Sequence, residues 1–221
     1  MEVDTRRLVD LIQQQANAHS RPRFLVALAG IPGSGKTTVA QALVRELNSS
    51  GNAMAALLSM DGFHLTQEEL RRSPDPAAAF VRRGAPWTFD TQDAIKAPGF
   101  DHEGKDPVED KVIVTPDTQI VIFEGNYLLL DEPQWRGLID LFDYSVFLDV
   151  DPAQVREQLA KRHIEAGIEQ TLQDAFKRID KNDFLNAIIV QENLLKPDLV
   201  IQWSGNMEDG TQPTIVEKIK P

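Results

Sequence analysis

Short apolar runs alternate with segments of helical periodicity along the whole chain. A continuous apolar run is typical of a strand buried on both faces, and apolar positions three and four residues apart predict a helix with one buried face. Regular alternation of the two patterns predicts a mostly parallel sheet with helices on both sides, an α/β fold. The apolar runs are 24–29, 54–60, 119–123, 144–150 and 198–202, and the helical segments are 4–19, 39–47, 152–165 and 169–195.

Two stretches depart from this alternation. The stretch 73–118 is rich in Pro, Gly, Asp and Phe and has no long periodic segment. A stretch of this length without regular structure is usually functional, so we predict an insertion at the carboxyl edge of the sheet. Near the end of the chain, 211–218 alternates apolar and polar residues, which predicts an edge strand.

The composition narrows the classes of protein. Among 221 residues, 23 Lys and Arg stand against 34 Asp and Glu, and the formal net charge of −11 argues against nucleic-acid binding. The absence of cysteine excludes disulfides, thiolate nucleophiles and cysteine-ligated zinc. The first residues lack the apolar run of a signal peptide, and every apolar run is too short for a bilayer. We therefore expect a soluble, cytoplasmic protein with no membrane partner.

A phosphate-binding signature follows the first apolar run. Residues 30–37 satisfy the pattern G-x-x-x-x-G-K-[ST] between a predicted strand and a predicted helix. Its glycines let successive backbone N–H groups face phosphate oxygens, and the helix N-terminus adds its dipole. Lys36 would reach the β- and γ-phosphates, and the Thr37 hydroxyl would ligate Mg²⁺. The predicted nucleotide-binding residues are Gly30, Ile31, Pro32, Gly33, Ser34, Gly35, Lys36, Thr37 and Thr38.

Three carboxylates follow apolar runs and would meet the phosphate loop at one edge of a parallel sheet. Glu124 follows the third run and is the expected partner of Mg²⁺ or of a water molecule. Asp61 follows the second run, where it could contact the metal and accept the proton of an attacking hydroxyl; a cap or turn role is the alternative. Asp151 precedes Pro152, which favours a helix N-cap over a catalytic role.

A GTPase switch would need two further motifs. Residues 101–104 match D-x-x-G, but no hydrophobic strand precedes them. No Asn-Lys-x-Asp segment follows a strand to recognise guanine. The nucleotide site is therefore not interpreted as that of a GTPase.

Further motifs follow the phosphate loop, and together they resemble the phosphoribulokinase/uridine kinase/pantothenate kinase superfamily of P-loop kinases. The resemblance spans 23–203 and is nearest to pantothenate-kinase-like and fructose-transport-system-kinase-like members. It implies a P-loop NTPase three-layer α/β/α sandwich, with one domain over 1–221, a substrate-binding insertion over 62–118 and a small helical lid over 160–185. The motifs are Gly30–Thr38, Met60–His64, Arg83–Asp90, Phe100–His102 and Phe123–Leu130.

The resemblance also implies an activity, the phosphorylation of a hydroxyl group on a small metabolite with Mg·ATP as donor. Asp61 would be the catalytic base and His102 a substrate contact, while Lys36 and the lid arginine, Arg162, would act on the phosphates. A guanidinium suits the charge that spreads over a phosphoryl transition state, and a solvated arginine at a helix end is the alternative. Trp87 departs from the glutamate that close relatives carry there, so the identity of the substrate stays open.

Substrate-binding residues are expected within the insertion and beside the carboxylates. His64 could orient the substrate, tune Asp61 or simply form a buried hydrogen bond. Arg82 and Arg83 could hold an anionic group or remain solvated. Tyr127 is expected to face the cleft. The predicted substrate residues are His64, Arg83, Trp87, Phe89, Asp90, His102 and Tyr127.

An ATP-dependent small-molecule kinase is the function that these residues favour, with a pantothenate-, nucleoside-, sugar- or glycerate-like acceptor. A nucleotide-binding regulatory ATPase without a small-molecule acceptor is the alternative, and the net charge disfavours an ATPase that acts on nucleic acid. A homodimer formed through the edge strand or the first helix stays open.

Overall fold

The structure, a computed structural model, confirms an α/β fold with one mostly parallel sheet. In chain order the strands are β1 (Phe24–Gly30), β2 (Ala55–Ser59), β3 (Gly99–Asp101), β4 (Asp106–Val108), β5 (Ile120–Gly125), β6 (Tyr144–Val150), β7 (Leu199–Trp203) and β8 (Thr214–Val216). The sheet order is β2-β5-β1-β6-β7-β8, with β8 antiparallel to β7, and β3 and β4 form a separate hairpin. The structure describes residues 2–49, 54–90, 99–101, 106–108, 114–203 and 214–216.

Helices and single turns connect the strands. The α-helices are α1 (Glu2–Ala18), α2 (Lys36–Leu47), α3 (Gln67–Arg71), α4 (Pro76–Val81), α5 (Pro152–Glu165), α6 (Leu172–Arg178) and α7 (Phe184–Glu192). Turns of 3₁₀-helix cover Met60–Phe63, Pro86–Thr88 and Arg136–Leu141, and one π-helical turn covers Ile179–Asp183. The predicted cap is present at α5, where a carboxylate oxygen of Asp151 accepts a hydrogen bond from the Ala153 amide.

Residues of β1 alternate between the two faces of the sheet, so each face has its own core. Val26 and Leu28 pack in the core that contains residues of α1 and α2. Ala27 and Ala29 pack in the core that contains residues of α5 and α7. Because both faces are buried, the strand sequences are continuous apolar runs, and the sheet is the middle layer of the predicted three-layer sandwich.

The strand predictions agree with the structure to within two residues at every boundary, and the predicted edge strand in 211–218 is β8. The single helix predicted over 169–195 is wrong. Thr171 caps α6, and its side chain accepts a hydrogen bond from the Asp174 amide. The π-helical turn then separates α6 from α7. Among the residues that the structure describes, no helix combines the length and the apolarity that a bilayer crossing requires.

Gly125 ends β5 in close contact with the turn that follows β2. A Cβ atom at this position would lie 2.5 Å from the Cβ of Met60 and 2.8 Å from its sulfur. Since Met60 is 2% exposed and has no room to retreat, we expect Gly125→Ala to lower the free energy of unfolding by about 1–3 kcal/mol. Urea unfolding measures this loss. Gly137→Ala is the matched control, because a Cβ there meets no atom within 4 Å, and equal losses in both variants would contradict the prediction.

Candidate active site

The phosphate loop joins the carboxyl end of β1 to the first turn of α2. Gly33 and Gly35 have φ angles of 80° and 83°, a left-handed conformation that favours glycine. The amide of Ser34 donates a hydrogen bond to the Ile31 carbonyl over 3.1 Å, which closes the loop. The first N–H groups of α2 have no partner within the helix, so they are available to phosphate oxygens.

Lys36 is held against this loop rather than extended into solvent. Its Nζ donates to the Ile31 carbonyl over 2.9 Å and to Ser34 Oγ over 3.4 Å. Burial lowers the pKa of Lys36 to about 8, although the carboxylates of Glu124 and Asp61 favour its charged form. A buried ammonium group with no ion pair to the residues described is a strong site for the phosphates of a nucleotide.

A cleft of about 170 Å³ opens above the phosphate loop. The structure brings together on its walls all five residues for which the sequence predicts a catalytic or metal-binding role. They are Lys36, Thr37, Asp61, Glu124 and Arg162. Asp61 lies in a 3₁₀ turn, as the alternative of a turn residue predicts, and it also lines the cleft. The two roles are therefore compatible.

Parallel register places Ser59 beside Glu124 on adjacent strands. The Ser59 hydroxyl donates to Glu124 Oε1 over 2.5 Å and accepts from the Asp61 amide over 3.3 Å. Burial raises the pKa of Glu124, while the charge of Lys36 and the hydrogen bond from Ser59 oppose that rise. One hydroxyl therefore contacts the carboxylate of Glu124 and the backbone of the turn that carries Asp61, a role that the sequence pattern did not indicate.

The donor set in the cleft fits Mg²⁺ held jointly with a nucleotide. The Thr37 hydroxyl is within hydrogen-bonding reach of Glu124, and Asp61 lines the same cleft. Within the described ranges, no group of three or more His, Asp or Glu side chains could hold a metal ion by itself. Mg²⁺ is commonly held by one or two protein ligands together with phosphates and water, so this sparse set is suited to it.

Loss of the Ser59 hydroxyl should impair catalysis more than folding. We expect Ser59→Ala to lower kcat roughly tenfold and to raise the Mg²⁺ concentration needed for half-maximal rate, because Glu124 and the Asp61 turn lose their common hydrogen bond. Steady-state rates over a Mg²⁺ titration measure both effects. Ser59→Thr keeps the hydroxyl and should restore most of the rate; unchanged kinetics in Ser59→Ala would contradict this role.

Two of the predicted substrate residues form a wall behind the cleft. Phe89 is 7% exposed and Tyr127 is fully buried, and their rings meet edge to face with centroids 5.7 Å apart. The Tyr127 hydroxyl donates to the Gly84 carbonyl over 2.5 Å, so the expectation that it faces the cleft differs from the structure. His64 packs on the Phe89 ring, and its Nδ1 donates to the Asp61 carbonyl over 2.9 Å.

Three other predicted substrate residues do not line the cleft. The Arg83 guanidinium donates to the Leu65 carbonyl over 3.0 Å and to Asp106 over 3.2 Å, which ties it to the hairpin. Trp87 is 48% exposed, and Asp90 is also exposed at the end of this segment. The remaining one, His102, lies outside the described residues.

Six residues of the cleft were not assigned to it from the sequence, and Gly125 and Leu159 are two of them. Asn126 directly follows Gly125, the last residue of β5, so its place after a strand end was a usable signal. His163 and Ile168 flank the end of α5 beside Arg162, and Asp183 ends the π-helical turn. In the sequence, Asp183 stands out only as a polar residue that interrupts a helical segment, which is typical of a helix N-cap. Its place in the cleft depends on a π turn, which no sequence pattern predicted.

Comparisons with known proteins give relatives over nearly the whole chain. A Schizosaccharomyces pombe protein, provisionally named a uridine kinase, is 39% identical over 211 residues, covering 89% of this chain and 87% of its own. A solved structure from Silicibacter sp. TM1040, described provisionally as a fructose transport system kinase, is 31% identical with a TM-score of 0.78 and covers 90% of this chain and 98% of its own.

Two further matches are narrower in what they show. The structure of YFH7 from Saccharomyces cerevisiae, described as a P-loop containing kinase with a circular permutation, has a TM-score of 0.81 at 23% identity. It covers 92% of this chain and 100% of its own, and it shows the same fold. The sequence profile of the ATPase family associated with various cellular activities (AAA) matches only residues 26–95, which contain the phosphate loop. The full-length relatives, the fold and the phosphate loop agree, and this chain belongs to the uridine-kinase-like family of P-loop kinases.

Proposed function

We propose that this P-loop kinase transfers the γ-phosphoryl group of ATP to a hydroxyl group of a small metabolite. The observation that carries the proposal is the position of Asp61. Its carboxylate accepts no hydrogen bond from the residues that the structure describes, and it lines the same cleft as Lys36. A carboxylate in this position is available to the proton of a substrate hydroxyl.

The phosphates of ATP bind at the loop end of the cleft. Loop amides and the Lys36 ammonium group neutralise the β- and γ-phosphates, and Arg162 approaches from the mouth of the cleft, where it is exposed. Thr37 and Glu124 would hold Mg²⁺, with Asp61 contributing through water. When bound, the ion supplies neutralising charge to the transferring phosphoryl group.

Transfer then exchanges one bond to the γ-phosphorus for another, and it needs one proton acceptor. The acceptor hydroxyl oxygen forms a bond to the γ-phosphorus while the bond from that phosphorus to the β,γ-bridging oxygen breaks, which releases ADP. The proton of the hydroxyl passes to Asp61. We expect the closely packed rings of His64, Phe89 and Tyr127 to limit access of water to the acceptor, which would favour transfer over hydrolysis.

The names of the relatives agree with an acceptor of this kind. The S. pombe relative is named for a nucleoside and the Silicibacter structure for a sugar, and both molecules carry free hydroxyl groups. These names support a small-molecule alcohol as acceptor for this chain.

A panel of metabolite alcohols tests the proposal. ADP release from Mg·ATP is measured with and without nucleosides, sugars, glycerate and pantothenate, and mass spectrometry detects a phosphorylated product. We expect one chemical class to raise turnover many-fold, and Lys36→Ala to abolish the gain. Lys177→Ala, on the outer surface of α6, is the control for loss of a lysine charge. A steady background rate that no compound changes would favour the regulatory ATPase instead.

A further inference from the structure

Arg82 and Arg83, which lie within the predicted acceptor insertion over residues 62–118, form contacts inside the protein itself. The Arg82 guanidinium donates to the carbonyls of Lys181 and Asn182 over 3.0 and 3.4 Å and to the side-chain oxygen of Asn186 over 2.9 Å. Arg83 is tied to the hairpin through Asp106. Both groups that were candidates for an anionic substrate thus have internal partners.

Asp183 differs from these arginines, because its carboxylate is not fully satisfied by partners in the described part of the protein. It ends the π-helical turn between α6 and α7 and lines the cleft together with Asp61 and Lys36. Its side chain is 18% exposed, and the buried Oδ2 atom accepts no hydrogen bond from any residue that the structure describes. Its one ion-pair contact in the described part of the chain is with His163 Nε2 at 3.6 Å, too long for a hydrogen bond.

The histidine beside it does not compensate this carboxylate. Burial lowers the pKa of His163 to about 4, with the charges of Arg178 and Arg162 acting in the same direction, so the imidazole is neutral at pH 7. Burial raises the pKa of Asp183 to about 6, while the charges of Arg178, Arg162 and Arg82 oppose the rise, so the carboxyl group is largely ionised at pH 7. An ionised oxygen without a donor costs free energy that a hydroxyl ligand would recover.

Asp183 also lies on the acceptor side of the cleft. Burial is the largest cause of the raised pKa of the Tyr127 hydroxyl; the charge of Arg82 opposes the rise, and those of Asp183 and Asp61 add to it, so both carboxylates lie near this ring. Two carboxylates on this side would bind hydroxyl groups and repel an anion. The π turn supplies the extra residue that directs Asp183 toward them.

We propose that Asp183 is a specificity-determining residue that accepts a hydrogen bond from a second hydroxyl group of the acceptor, which restricts this kinase to uncharged polyols. The inference rests on the proposed function and deepens it, because it selects among the acceptor classes that the sequence leaves open. Nucleosides and neutral sugars satisfy it, and acceptors with a carboxylate or phosphate group do not.

Two matched panels test this inference. Uridine, cytidine, fructose, ribose and glycerol form the neutral panel, and glycerate, gluconate and pantothenate form the anionic panel. Turnover is measured with Mg·ATP, and binding is measured separately by calorimetry with a non-hydrolysable ATP analogue present. We expect the wild-type protein to bind and turn over neutral compounds only.

Variants of the π turn then assign the effect to one residue. Asp183→Ala should raise the acceptor KM and Kd by roughly 10- to 100-fold, with the KM for ATP changed less than about twofold. Asp183→Asn keeps one oxygen that can accept a hydrogen bond, so its KM and Kd for the acceptor should lie between those of the wild type and of Asp183→Ala. Asp180 is an exposed residue of the same π turn, and its carboxylate pairs with Arg156 of α5. Asp180→Ala should therefore leave acceptor binding unchanged. Thermal unfolding of each variant confirms that it is folded.

Each outcome supports or overturns the inference. An anionic compound as the preferred ligand overturns it, as does an acceptor Kd in Asp183→Ala equal to that of the wild type. The ribose of ATP is the other source of hydroxyl groups, so the affinities of 2′-deoxy- and 3′-deoxy-ATP are compared with that of ATP. If the removal of one ribose hydroxyl lowers affinity as much as Asp183→Ala does, Asp183 binds the nucleotide and the inference is overturned. If no compound is phosphorylated, the proposed function fails, while Asp183-dependent binding of a neutral polyol still supports the inference and its absence overturns it.

Discussion

Asp61→Asn should lower the rate of phosphoryl transfer by roughly 10²- to 10⁴-fold and change the affinity for ATP by less than about twofold. Asparagine has the shape of aspartate but cannot accept the proton of the acceptor hydroxyl. The Asp61 carboxylate makes no hydrogen bond with the described residues, so its replacement leaves the turn at Met60–Phe63 intact. We expect ATP to bind mainly through Lys36 and the loop amides, which the substitution does not touch.

The measurement is kcat with the identified acceptor beside the Kd for ATP from calorimetry. Asp140→Asn is the matched control, because Asp140 is an exposed aspartate in the 3₁₀ turn Arg136–Leu141 and does not line the cleft. We expect it to behave as the wild type. Near-normal turnover in Asp61→Asn would exclude Asp61 as the base and move the proton to water or to the phosphate itself.

The nucleotide end of the cleft was predictable because its structure is encoded locally. A buried strand, a loop with glycines where φ must be positive, and a helix that begins at Lys36 follow each other within one short segment. The rule that parallel strands end at one edge of the sheet was enough to bring Asp61 and Glu124 to the same loop. Neither inference needed a tertiary contact.

Ser59 shows where such reasoning ends. Its hydrogen bond to Glu124 depends on the register of β2 against β5, and the sequence of neither strand specifies the residue that will stand opposite. A serine at the last position of an apolar run has no distinctive pattern. Its role became visible only when the neighbouring strand was in place.

The acceptor side differs most from expectation because its residues compete for partners inside the protein. Arg83 is satisfied by Asp106 in the hairpin, and the Tyr127 hydroxyl is satisfied by the Gly84 carbonyl. Residue type alone predicts what a side chain can bind but not which group reaches it first. The same holds for Asp183, whose direction follows from a π turn that periodicity predicted as continuous helix.

Arg162→Ala should lower kcat by roughly 10³-fold, a loss of the size associated with a guanidinium that stabilises the phosphoryl transition state. Arg162 stands in the last turn of α5 at the mouth of the cleft, exposed and without an ion pair to any described residue. Its side chain is therefore free to close over the phosphates when a nucleotide is bound. The KM for ATP should rise far less than kcat falls, because the contact forms mainly in the transition state.

Two further variants separate the role of Arg162 from that of a solvated arginine at a helix end. Lys161→Ala removes the adjacent exposed charge, which does not line the cleft, and should leave kcat unchanged. Arg162→Lys keeps a positive charge but loses the planar fork that binds two phosphate oxygens, so it should recover only part of the rate. If Arg162→Ala lowers kcat no more than Lys161→Ala does, the charge of Arg162 acts only at the surface. Transition-state stabilisation would then rest on Lys36 and the loop amides alone.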